Sequence, residues 1–88
     1  MVSRLGEQVL YKLTGEDVGK IQAQRHDSPK WGNEPRVGDL AVGVVVKDWG
    51  KAVNLHLFLD GNDGLWVTSV CEAPVQEQWV PGQWTVLW

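Results

Sequence analysis

Two alternating runs, residues 53–61 (VNLHLFLDG) and 65–71 (LWVTSVC), meet across the glycine-rich segment 60–64 (DGNDG). Period-two alternation on both sides of a Gly/Asn/Asp turn is the signature of a β-hairpin. With the turn over 60–64, Leu59 is expected opposite Leu65, Leu57 opposite Val67 and Leu55 opposite Ser69, all on a core side. The other side then carries Phe58 with Trp66, His56 with Thr68, and Asn54 with Val70. That side is too apolar for plain solvent and too polar for a sealed interior. What covers it is the functional question.

The flanking segments supply the remaining strands. Residues 40–47 (LAVGVVVK) form a β-branched run, and a four-residue DWGK turn pairs Val46 with Val53 and Val44 with Leu55. This register puts Leu40, Val42, Val44 and Val46 in the core. Ala41, Gly43 and Val45 then lie beside Phe58, His56 and Asn54, leaving a shallow, glycine-floored depression. Residues 7–13 (EQVLYKL) alternate as a first strand. Thr14 followed by Asp17 reads as a helix cap, and Val18 and Ile21 share one face of a short helix reaching about Arg25, weakened by Gly19.

Residues 26–36, with two prolines and a glycine, read as an exposed loop around Trp31. A proline-punctuated connection containing Trp79 leads to 83–88 (QWTVLW), where Trp84, Val86 and Trp88 share a face that closes the sheet or docks on a partner. The order predicts a single domain over 1–88. It is mainly β (α+β), a five-stranded bent antiparallel sheet or small SH3-like partly open barrel with one short N-terminal helix.

Eighty-eight residues bury roughly 60–65 % of the surface of the unfolded chain, a thin core. Six tryptophans against one Phe and one Tyr are more indole than such a core absorbs, so some are expected at an interface or a ligand site. A net charge of −3 argues against binding duplex nucleic acid, which needs a basic face. Cys71 is the only cysteine, which excludes an intrachain disulfide and a cysteine-based zinc cluster and suits a reducing cytoplasm. With neither a membrane-length apolar run nor a signal-peptide pattern, a soluble, unprocessed, cytoplasmic protein is expected.

No chemical motif survives its spacing test. The DGNDG segment starts like a calcium loop, but Leu65 stands where the loop needs glycine and Cys71 where it needs glutamate, so it reads as a turn. His26 and His56 lack neighbours at metal-ligand spacing. Cys71 is expected buried beside Val53, on the face away from His56, and Ser69 shares that buried face without a nucleophile elbow. Asp48, Asp60 and Asp63 all fall in turns. The expectation is a non-enzymatic protein without metal or cofactor, with a small hydrolase using His56 and Asp60 or Asp48 as the enzymatic alternative. The candidate ligand-binding set is Asn54, His56 and Thr68 as polar contacts, Trp66, Phe58, Trp31 and Trp49 as stacking walls, and Arg36 as the anion contact.

Residues 36–50 (RVGDLAVGVVVKDWG), residues 53–70 (VNLHLFLDGNDGLWVTSV) and the PGQW run ending at Trp84 resemble small uncharacterised proteins of actinobacterial phages and prophages. The likeness spans roughly the C-terminal two thirds. That group carries no assigned activity, so it lends context and no site residues. The resemblance implies an accessory factor acting on the host. Joined to the residue reading, it leads to a homo-oligomeric binding protein that sequesters a small nucleotide-like ligand and so counters a host antiphage defence. A protein-interaction module, either an inhibitor of a host protein or a minor virion component, is the alternative.

Overall fold

The computed structural model describes residues 3–28, 30–75 and 78–86. The elements run β1 (Gln8–Lys12), α1 (Gly15–Asp27), β2 (Leu40–Asp48), β3 (Val53–Phe58), β4 (Gly64–Glu72) and β5 (Gln83–Val86). The strands form a closed barrel in the order β1-β2-β3-β4-β5. The expected mainly-β chain with five strands and one short helix is what forms. Its sheet is closed rather than partly open, and it is mixed. Neighbouring strands are antiparallel except β4 and β5, which run parallel through Cys71 opposite Gln83 and Glu72 opposite Trp84. β1 pairs on its other side with β5, Val9 facing Val86.

Local chemistry explains the helix. Thr14 accepts the Asp17 backbone N–H through its hydroxyl at 3.0 Å, and Asp17 accepts the Thr14 N–H at 2.9 Å, a reciprocal capping box. Glu16 and Asp17 sit in the first turn and Arg25 and His26 in the last, each sign at the helix end whose dipole favours it. Ile21 is buried and Val18 packs against the core as the apolar face requires. Buried Asp17 also takes a 2.6 Å hydrogen bond from the Tyr11 hydroxyl. Burial, then that bond, holds the Tyr11 hydroxyl well above the ordinary phenol range.

The core is filled by Val9, Tyr11, Leu13, Ile21, Ala41, Val45, Val53, Leu55, Leu57, Leu65, Val67 and Trp84. Two registers differ from expectation. Leu57 stands opposite Leu65 and Leu55 opposite Val67, an offset of two that lengthens the turn and leaves the faces unchanged. Within that longer turn Gly61 forms a bridge with Gly32 of the Trp31 loop.

The second difference matters more. A β-bulge between Val45 and Lys47 inserts Val46 as an extra residue, so Val45 faces Leu55 and Gly43 faces Leu57. A one-residue slip exchanges the faces of a strand. Ala41, Gly43 and Val45 therefore point into the core, while Leu40, Val42 and Val46 are exposed, the reverse of the expected assignment. A Cβ on Gly43 would sit 2.9 Å from Leu57 Cδ2, so this glycine lets the core close and floors no outer depression.

A further bulge in β4 displaces the residues after Thr68. Val53 pairs with Val70, and Ser69 adopts a left-handed φ of 54°. Ser69 is exposed rather than buried, Val70 packs against the core, and Cys71 is exposed rather than buried beside Val53. Trp84 and Val86 belong to the barrel interior and its margin, which assigns β5 to closing the sheet; Trp88 lies outside the described residues.

Candidate functional site

The registers define the outer surface of the barrel. One row across the strands reads Leu10, Val42, Phe58, Gly64, and the next reads Gln8, Val44, His56, Trp66. Residues directly opposite in an antiparallel ladder share a face, so Val42, Phe58, His56 and Trp66 are immediate neighbours. Phe58 is 55 % and Trp66 62 % exposed. His56 and Phe58 meet edge to face, their ring centroids 5.1 Å apart. Gly64 beside them has no side chain, and a Cβ there would lie 3.1 Å from the His56 ring. His56, Phe58 and Trp66 thus come together as expected, on a face made by valines instead of a glycine floor.

Thr68 follows on β4 and, with Trp66, lines a cleft of about 340 Å³ against the first turns of α1. Thr14, Glu16, Asp17 and Lys20 form its other wall. The Lys20 ammonium lies 3.2 Å from the Glu16 carboxylate, both well exposed. Nothing in the residue pattern announces this cleft, because it depends on how the helix crosses the barrel.

Asn54 has a different place from the one expected. It is buried opposite both bulges, and its Oδ1 accepts the Ser69 backbone N–H at 2.9 Å and the Trp49 indole N–H at 3.0 Å. It satisfies irregular backbone, and its acceptor is already used. The exposed Trp49 ring also carries the Lys47 ammonium 4.9 Å from its centroid.

Trp31 is exposed at the opposite end of the hairpin, where its backbone pairs with Asn62 (2.8 and 3.0 Å). The run of β3 between the two ends spans about 17 Å at the usual rise, so Trp31 and Trp49 cannot flank one small ligand. Arg36 is exposed in the loop before β2, its backbone N–H donating to the Asp39 carboxylate. The structure therefore does not gather Asn54, Trp31, Trp49 and Arg36 around His56.

The DGNDG turn is held by an unforeseen clasp. Arg25 Nε and Nη2 donate to the two oxygens of Asp63 at 2.8 and 3.0 Å, and Nη1 donates to the Asn33 carbonyl at 2.7 Å. Gln24 adds bonds to Asp63 and to the Gly64 carbonyl. The Arg25 hydrogen bond, chiefly, holds the Asp63 carboxyl below its usual range. Asp60 accepts from the Asn33 amide, and Asp48 from the Arg4 and Gly50 backbone. Each turn acid thus has structural partners, none of them His56.

Among the described residues no cluster of three or more His, Cys, Asp or Glu is arranged to hold a metal, and no helix is long and apolar enough to cross a membrane. Comparison with known proteins returns no matching family model, no matching curated protein and no matching solved structure.

Proposed function

We propose that this chain is a non-enzymatic binding protein that works as a homo-oligomer in the host cytoplasm, an accessory factor of phage or prophage origin. The observation that carries the reading is the half-apolar outer face, where Phe58 and Trp66 stand more than half exposed around His56 on a closed barrel. Aromatic side chains held on rigid strands lose little freedom on binding and are common anchors of recognition.

The ligand we favour is small, planar and nucleotide-like, sequestered to counter a host defence. Its support is the Trp66–Thr68 cleft, whose volume of about 340 Å³ falls within the usual range of small-molecule sites. The indole offers a stacking wall, and Thr68, Thr14 and Lys20 offer polar contacts. Titration calorimetry against a panel of mono-, di- and cyclic nucleotides tests this. Trp66→Ala is expected to weaken binding roughly ten- to a hundredfold, the usual worth of one stacked base. Absence of heat with every member of the panel would remove the sequestration reading.

The valines around Phe58 favour a second reading, in which the same face docks a protein. Stoichiometric recovery of one host or virion protein on the immobilised chain, abolished by Phe58→Ser, would decide for it.

A further inference from the structure

We infer that the outer face centred on Val42 and Phe58 is the contact between copies of this chain, the occupant being a second copy seated face to face. The inference rests on the homo-oligomeric part of the proposed function and names the surface responsible. It comes from the β2 bulge: by turning Val45 inward, the bulge turns Leu40, Val42, Val44 and Val46 outward, with Val42 opposite Phe58 and Val44 opposite His56. Leu40 is 53 %, Val42 39 % and Val46 45 % exposed. Beneath this patch β2 and β3 are each paired on both sides within the barrel, so association here goes through the face and not through a strand edge.

Size and charge select the occupant. Large aromatics carry about 150–250 Å² each, so Phe58 and Trp66 at their exposures present roughly 200–300 Å² of apolar surface. The aliphatic neighbours bring the patch to the order of 400 Å², within the ~300–600 Å² of the largest, often functional, patch on a typical monomer and about half of the ~800 Å² that each partner gives a standard interface. That is the share expected of an apolar centre, with Gln8 and Thr68 at its rim. The rows running through Val42 and Val44 contain no Asp, Glu, Lys or Arg. In a twofold contact the same patch meets itself, so a carboxylate, lysine or arginine near its centre would oppose its own copy; a centre without them avoids that cost. A nucleic acid or an anionic lipid surface would instead meet a chain of net charge −3 without a basic face. Trp66 stands where the patch meets the Thr68 cleft, so a second copy seated on Phe58 would lie beside the entrance to that cleft.

Sedimentation velocity on the full chain over 1–100 micromolar tests the inference, using wild type, Val42→Lys, Phe58→Lys and the milder Phe58→Ser, with Val75→Lys as a control at a fully exposed site away from the patch. Wild type and Val75→Lys are expected to sediment as a dimer or larger. Both lysine variants are expected to be monomers with unchanged far-ultraviolet dichroism, and Phe58→Ser to dissociate at least tenfold more readily. If wild type is oligomeric and the patch variants remain so, this surface is wrong while the homo-oligomeric reading stands. A wild-type monomer throughout the range overturns both. If a lysine variant loses its fold, Phe58→Ser decides by its dissociation constant, and an unchanged value overturns the inference.

Discussion

Replacing Asn54 removes the acceptor on which two donors depend. The Ser69 amide lies in a bulge with no ladder partner to take over, and the Trp49 indole would lose its anchor to the barrel. Leaving such groups unpaired costs about 1–3 kcal/mol. Asn54→Ala is expected to lower urea-denaturation stability by that amount at unchanged m-value and to alter Trp49 emission. A variant as stable as wild type would show that water replaces the carboxamide. Sequence alone offered Asn54 as a ligand contact because alternation sets it beside His56. Its real work follows from two extra residues in neighbouring strands. Cys71 was misplaced for the same cause, since the left-handed Ser69 resets the alternation just before it. Serine carries no conformational signal for that geometry of the kind glycine would give.

Among the elements, the Arg25–Asp63 clasp joins the last turns of α1 to the DGNDG turn and, through Asn33, to the Trp31 loop. Gly32 and Gly61 approach so closely there that a Cβ on either would strike backbone. Asp63 is nearly inaccessible, its side chain 2 % exposed, so its ion pair is shielded from solvent. Its carboxyl is held low in the folded state; the stabilisation is therefore complete above the unfolded pKa of about 3.9 and fades as pH falls towards the folded value. Asp63→Asn is expected to destabilise at pH 7, by about 1–3 kcal/mol for the weakened charged hydrogen bonds. It should also flatten the loss of stability below about pH 4. Parallel denaturation series from pH 7 to pH 3 check both, and an unchanged acid slope would assign the clasp no part in acid unfolding. The residues announced each element and the helix cap, because those signals are local. They did not announce the clasp, in which a helix end and a turn far apart in the chain meet only once the barrel exists. The hairpin faces from Leu55 to Phe58 and from Leu65 to Thr68 were legible because an offset of two preserves alternation, whereas those beyond the β4 bulge and those of β2 were not, because an extra residue in a run of ordinary strand residues leaves no mark.

For the molecule as a whole, the mainly-β architecture was readable from strand spacing, and the surface reading changed with the bulge: the face expected to have a glycine floor carries Val42 and Val44 instead. The joining of β1 to β5 also bears on the moment at which this protein can exist. Val9 pairs with Val86, so the first strand waits for the last described residue before its second edge is satisfied. During synthesis the nascent chain would carry four strands of an unclosed barrel until Gln83–Val86 clears the ribosome, and folding must then close one long loop against chain entropy. Topologies dominated by such distant pairings fold in milliseconds to seconds, and stopped-flow refolding of the released chain is expected to fall in that window. A chain stopped before Gln83 should show no cooperative melt; a sharp thermal transition from it would mean that four strands suffice. The interval before closure is when the apolar strands of this protein are open to other chains, so its yield in a cell should depend on how quickly that final strand is delivered.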